Sequence, residues 1–143
     1  MAGSAPRKRP QERSAHGVDR AAHRSPQGRF AVVAARFNEA ISKKLADGAA
    51  SALEAGGVAG ERVEVHWVPG SFELPQAAMA LARTGRYAGI VGVGVITSLT
   101  EAQAWDRAGG AVGHRGEEAA RAVLEMAAWM RGLRAGRAAK RRR

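Results

Sequence analysis

The sequence predicts an α/β domain in which helices cover a parallel sheet, and three observations carry that expectation. The apolar run Phe30-Ala31-Val32-Val33-Ala34-Ala35 shows no polar alternation, as a strand buried on both faces requires. Apolar residues at helical spacing follow it, and two further strand-like segments recur, each followed by a helical pattern. The resulting order, β-α-β-α-β-α-α, implies crossover connections between parallel strands. In such sheets ligands bind beyond the carboxyl ends of the strands.

The elements follow in chain order. Asn38 is placed to cap a helix that carries Ile41, Leu45, Ala49 and Leu53 on one face and stops at Gly56-Gly57. Val63, Val65 and Trp67 alternate with Glu64 and His66, the pattern of a half-covered strand. Pro69-Gly70 breaks that strand, and Ser71 is placed to cap a helix over residues 73–83. Residues 89–96 form a third, fully apolar strand. Thr100-Glu101-Ala102-Gln103 fits a capping box for a helix that ends at Gly109-Gly110. The last helix is expected over 117–131, with Ala120, Val123, Leu124, Ala127 and Met130 facing inward. Three strands make a thin sheet against a usual number of about four to six.

Length and composition narrow the class of protein. The 143 residues suffice for one domain, and the absence of cysteine excludes disulfides and thiolate metal sites. His16, His23, His66 and His114 lack metal-ligand spacing, so no metal is expected. The longest apolar stretch is far below the roughly 20 residues that span a bilayer. The N-terminal Arg/Ser/Ala-rich segment resembles a transit peptide in composition, but Pro6, Pro10, Gly17 and Pro26 interrupt any amphipathic helix there. The expectation is a soluble cytoplasmic protein.

The net charge of +10 raises the question of nucleic acid. Residues 1–29 carry +5, residues 131–143 carry +7, and the segment between them carries −2. Basicity therefore belongs to the ends, which are expected to be disordered extensions at 1–28 and 133–143 around a domain at 29–132. Such ends can attach to polyanions by counterion release, but they do not make the domain a reader of bases.

Two loops stand out at the expected carboxyl edge. Phe37, in Arg36-Phe37-Asn38, is an aromatic that could stack on a flat heterocycle beside the Asn38 amide, although taken alone the motif reads more readily as a core residue beside a helix cap. In Pro69-Gly70-Ser71-Phe72-Glu73-Leu74-Pro75 the turn offers backbone N–H groups, and Glu73 can accept hydrogen bonds from a ligand. Glu73 would also simply favour the helix dipole. Gly92-Val93-Gly94 lacks the third glycine of a dinucleotide loop. Arg107 at one helix end and Arg115 at the next helix start are candidate phosphate ligands, since a guanidinium fork suits phosphate.

Together these motifs resemble the lumazine synthase (6,7-dimethyl-8-ribityllumazine synthase) family. Arg36-Phe37-Asn38-Glu39 with Ile41 is similar to its R-F-N-x-x-I, and Trp67 through Pro75 is similar to its W-V-P-G-[AS]-F-E-[IL]-P signature. Tyr87 before an apolar strand, Arg107-Ala108-Gly109, Gly113-x-Arg115-Gly116 and Glu125-Met126-Ala127 also fall in family order, with Arg115 where the family often has Lys. The resemblance implies a flavodoxin-like three-layer sandwich and a cytoplasmic homopentamer or pentamer-based shell. It implies a transferase of riboflavin biosynthesis that condenses 5-amino-6-(D-ribitylamino)uracil with 3,4-dihydroxy-2-butanone 4-phosphate, without metal or cofactor. By the same resemblance Phe37 stacks on the pyrimidine, with Asn38 beside it. Ser71, Phe72 and Glu73 hold the ring and ribityl chain, Val95 and Ile96 line the ring, and Arg107 and Arg115 bind phosphate, Arg107 across a subunit boundary.

The departure from the family lies after Gly94. The family continues V-I-R-G-E-T-x-H-F-[DE], then a helix, a strand and F-G-V-L-T, whereas here Gly94-Val95-Ile96-Thr97-Ser98 passes directly to the end of that stretch. A helix–strand unit on the order of 30 residues is expected to be missing, and with it the catalytic histidine. Neither His66 nor His114 obviously replaces it. The activity is therefore expected to be impaired. The alternatives are a non-catalytic ligand-binding or shell-forming homologue, and a shortened copy that folds poorly.

Overall fold

The computed structural model describes residues 26–94, 98 and 100–140. Strand β1 (Arg29–Ala35) lies at the centre of a three-stranded parallel sheet, between β2 (Val63–Val68) and β3 (Tyr87–Val93). Val32 stands opposite Val65 on one side and Val91 on the other. Residues 30–35 are wholly buried, which is why the apolar run could dispense with alternation.

The two faces of β1 are covered differently. Phe30, Val32 and Ala34 pack against Ile41, Leu45, Ala49 and Leu53 of α1 (Glu39–Ala55) and Ala120 and Ala127 of α4 (Arg115–Lys140). Val33 and Ala35 meet only a smaller cluster built on Leu74, Ala77 and Leu81 of α2 (Leu74–Arg83). The fold is thus an α/β sandwich of the flavodoxin-like kind with three layers, one of them a single helix. Each large core side chain such as Leu53 contributes on the order of 2 kcal/mol by leaving water.

Helix α1 ends as its two glycines require. Val58 N–H donates to Leu53 O (3.1 Å) and Gly57 N–H to Glu54 O (2.8 Å), the paired bonds of a Schellman stop. Gly57 holds φ +92°, where a side chain would be strained. Helix α4 approaches α1 so closely that a Cβ on Gly116 would overlap the Leu45 backbone. Further along α4, Leu124 meets α1 at Gly56 and Val123 meets β3 at Gly89. Helix α4 therefore lies over β3 with α1 along one flank.

Several expectations need correcting. Ser71 does not cap α2; it opens a one-turn 3-10 helix, Ser71–Glu73, and α2 starts at Leu74 with Pro75 in its first turn, where the missing N–H costs nothing. Asn38 precedes α1, but its side chain makes no capping bond. Val65 is 44% exposed, because β2 is a sheet edge and α1 sits over β1. Between α3 (Glu101–Arg107) and α4 the chain forms a small antiparallel pair, β4 (Ala108–Gly110) and β5 (Gly113–His114), where the glycines at 109 and 110 predict only a helix stop. Helix α4 begins at Arg115 and runs to Lys140, so the backbone of 133–140 is helical where disorder was expected. Ala, Leu, Arg and Lys dominate that stretch and no proline interrupts it. Met130, expected inside, is 44% exposed. The Thr100 cap is as expected, its Oγ1 accepting from Gln103 N–H at 3.3 Å. The expected extension of the third strand to residue 96 lies outside the described residues, as do the expected N-terminal extension through residue 25 and residues 141–143. Among the described residues no helix is long and apolar enough to cross a membrane.

Gly57→Ala is expected to lower stability by about 1 kcal/mol, because alanine is strained at positive φ. Urea unfolding measures this; Ser51→Ala on the exposed face of α1 should change it by less than about 0.5 kcal/mol.

Candidate active site at the carboxyl edge of the sheet

The turn after β1 is held from two directions. Arg36 N–H donates to Val68 O at 2.8 Å, which ties the turn to the end of β2. Ser42, fully buried on α1, donates its hydroxyl to Phe37 O at 3.2 Å. Asn38 adopts left-handed geometry (φ 55°, ψ 52°), tolerated best after glycine by Asn and Asp, and its carbonyl accepts from Ile41 and Ser42 N–H. With the backbone fixed, the Phe37 ring is left 64% exposed. The core reading of Phe37 therefore fails, and an apolar ring stands at the strand's carboxyl end. Ser42 gave no signal in the sequence, since a serine on an apolar helix face shows no motif.

The turn after β2 supplies the second loop. Glu73 N–H donates to Gly70 O at 3.3 Å, closing the 3-10 turn, and Phe72 is left 96% exposed. The Glu73 carboxylate folds back over Gly70, with Oε2 3.0 Å from where a Cβ would stand. Ser71 lies where the three strand ends converge. A Cβ on Gly94, just past β3, would sit 2.7 Å from Ser71 Oγ and 3.0 Å from Ala35 Cβ. Phe37, Asn38, Ser71, Phe72 and Glu73 thus all belong to the carboxyl edge. Val95 and Ile96 lie outside the described residues.

The two candidate phosphate ligands are brought together elsewhere. Pairing of Ala108 with His114 sets Arg107, the last residue of α3, and Arg115, the first of α4, just outside the β4–β5 pair on the same end. Arg107 Nη1 donates to Gln103 O at 3.1 Å, and Arg115 forms an ion pair with Glu118, which offsets its unfavourable place at a helix start. Neither partner belongs to the aromatic loops. His114 bridges helices: Nδ1 accepts from Glu117 N–H (3.4 Å), while Nε2 lies 3.1 Å from Lys44 O. A carbonyl only accepts, so Nε2 carries the proton.

At the opposite, amino end lies a polar cluster that the sequence did not reveal. Glu64 accepts from Tyr87 Oη and Arg29, with Arg86 at 3.7 Å and His66 at 3.6 Å. His66 Nε2 is 3.3 Å from Tyr87 Oη, its ring edge-on to the tyrosine. The Tyr87 hydrogen bond, then the Arg29 hydrogen bond, hold the Glu64 carboxyl below its ordinary 4.5. The same bond to Glu64 pushes the Tyr87 phenol above 10.0. Partners from three strands, far apart in sequence, make this cluster, so no local motif could announce it.

An α/β domain of this class, with aromatic rings and a carboxylate at the carboxyl ends of adjacent parallel strands, is suited to a flat, polar small molecule. The family model described as 6,7-dimethyl-8-ribityllumazine synthase matches residues 27–96 and 86–131. The chain belongs to that family, a transferase family of riboflavin biosynthesis. It is 34% identical to the 6,7-dimethyl-8-ribityllumazine synthase of Edwardsiella ictaluri (strain 93-146) over 147 aligned positions, covering 78% of this chain and 94% of that one. With the enzyme of that name from Halorhodospira halophila (strain DSM 244 / SL1) it shares 37% over 142 positions, 75% of this chain and 91% of the relative. The Pediococcus pentosaceus (strain ATCC 25745 / CCUG 21536 / LMG 10740 / 183-1w) protein of the same name is 32% identical over 133 positions, covering 68% and 85% respectively.

Two outcomes follow. The depressed Glu64 carboxyl contributes stability above its unfolded pKa that is lost as pH falls through the folded value. Urea midpoints of the parent chain should therefore fall below about pH 4.5 more steeply than those of Glu64→Gln. His114→Ala removes a helix cap and the bridge to α1, and should cost about 1–2 kcal/mol in the same measurement.

Proposed function

We propose that this chain is a lumazine synthase that keeps the ring-binding half of its site and has lost the half that handles protons. Phe37 stacks on the pyrimidine of 5-amino-6-(D-ribitylamino)uracil, with Asn38, Val95 and Ile96 around the ring. Ser71, Phe72 and Glu73 hold the ring and the ribityl hydroxyls. Arg107 and Arg115 bind the phosphate of 3,4-dihydroxy-2-butanone 4-phosphate, Arg107 from a neighbouring subunit in a cytoplasmic pentamer or pentamer-based shell. The observation that carries this reading is the pair of exposed rings, Phe37 and Phe72, beside Glu73 at one edge of a parallel sheet. The separation of both arginines' partners from those loops favours a phosphate site completed by a neighbour.

Two findings support the loss of a helix–strand unit after Gly94. The two matched segments share residues 86–96, so one strand aligns with two places in the family. The Edwardsiella alignment has 147 positions, more than the 143 residues of this chain, yet uses 78% of it, so gaps fall within this chain. Of the described histidines, His66 bonds to Tyr87 and His114 ties α1 to α4, so neither is free to serve these loops. That commitment favours a second reading, in which the chain binds the pyrimidine or builds a shell without turning substrate over.

Isothermal calorimetry with 5-amino-6-(D-ribitylamino)uracil tests the shared premise. Binding is expected, and Phe37→Ala should weaken it about tenfold through lost stacking. Absence of binding to a folded chain, or equal binding by the variant, would refute the ring-stacking role. Binding with no product on adding the butanone phosphate would select the non-catalytic reading.

A further inference from the structure

Each of the three parallel strands is entered through an arginine. Arg29 opens β1, Arg62 stands immediately before Val63 of β2, and Arg86 immediately before Tyr87 of β3. Parallel pairing gathers them, because Phe30 lies opposite Val63 and Arg29 opposite Tyr87. Three guanidinium groups therefore share the amino edge of the sheet, where repulsion disfavours them unless negative charge stands nearby.

The negative charge at this edge is incomplete. Glu64 serves two of the three: it accepts from Arg29 and lies 3.7 Å from Arg86. The Arg86 guanidinium also sits 5.8 Å from the centre of the Tyr87 ring. Arg62 is exposed and, among the described residues, has no hydrogen bond or ion pair. Between these groups the surface is concave. Gly28, Arg29, Glu61, Arg62 and Arg86 line an open cleft of about 400 Å3, a volume in the range of small-molecule sites. Gly28 holds φ +106°, and a Cβ there would come within 2.9 Å of Ala88 Cβ, so that wall of the cleft is bare backbone.

We infer that this cleft is a second anion site, which takes a small phosphate-bearing molecule between Arg62 and Arg86. A guanidinium fork matches phosphate oxygens in pairs, and forks arriving from two different strands can grip one phosphate from two sides. The phosphate supplies the charge that Glu64 leaves missing. Glu61 in the same lining repels a continuous polyanion, which selects a single phosphate group over a nucleic-acid chain. The seven residues of β1 set this cleft roughly 20 Å from the aromatic loops at the carboxyl edge. Neither Arg107 nor Arg115 lines it, so the inference stands apart from the proposed function.

Modification of the full chain by phenylglyoxal, with the modified arginines located by peptide mass spectrometry, tests the site by position. Inorganic phosphate should slow modification of Arg62 and Arg86, and chloride at equal ionic strength should not. Arg83, exposed just outside the cleft, should react at the same rate in both. The phosphate concentration that half-protects Arg86 should rise about tenfold in Arg62→Gln, which loses one charge-assisted fork, and stay unchanged in Arg107→Gln. Far-UV circular dichroism checks that both variants remain folded. Equal protection by chloride, protection of Arg83 as strong as that of Arg86, or an unchanged half-protecting concentration in folded Arg62→Gln would overturn the inference.

Discussion

Residues 30–35 of β1 are shielded from water on both faces, and most of the architecture can be read as the means of shielding them. A strand buried on both faces needs a neighbour on each side and a layer above and below, and β2 and β3, α1 with α4, and α2 supply them. The same strand ends at Ala35, where the chain must turn, and the turn is held by Val68 O and Ser42 Oγ. Burial of one strand therefore reaches directly to the exposure of Phe37, because a backbone fixed on both sides leaves the ring no route into the core.

Coverage of the two faces is unequal, and this explains much of the surface. Helices α1 and α4 interlock over one face through close approaches at Gly116 and Gly56. The other face has α2 alone, which covers Val33, Ala35 and Ile90. The rest of that face, toward the amino ends of the strands, is occupied by Glu64, His66, Tyr87 and Arg29 bonded to one another. A polar cluster is what a half-covered sheet face can tolerate, since its groups satisfy each other and still reach water. A missing helix–strand unit would leave a thin sheet, an open β3 edge and an incomplete layer, and the described residues have these features.

The elements that the sequence announced were those with local causes. Ile41, Leu45, Ala49 and Leu53 repeat at four-residue spacing and are all buried; Gly56-Gly57 and Thr100 act as stop and cap. The aromatic loops were also readable, because prolines and glycines bracket them. The features without a local signature depend on distance along the chain or on weak patterns. The β4–β5 pair involves too few residues to show periodicity. Tyr87 and Glu64 meet only because β1 lies between their strands. Ser71 looked like a helix cap, yet the 3-10 turn and Pro75 begin the helix later. Met130 fits the inward pattern of α4 by spacing alone, yet it stands 44% exposed on the flank turned away from α1.

Family membership and catalytic competence therefore rest on different residues. The first rests on loops that are present, Phe37 with Asn38 and Ser71 with Phe72 and Glu73. The second, under the proposed function, rests on a proton-transfer group, and the described histidines are engaged elsewhere, His66 with Tyr87 and His114 with Lys44 O. The most direct measurement is the rate of lumazine formation at saturating concentrations of both substrates, set beside the Edwardsiella ictaluri relative under identical conditions. A rate lower by about 100-fold or more is expected from the loss of one proton-transfer group. Equal rates would contradict the account.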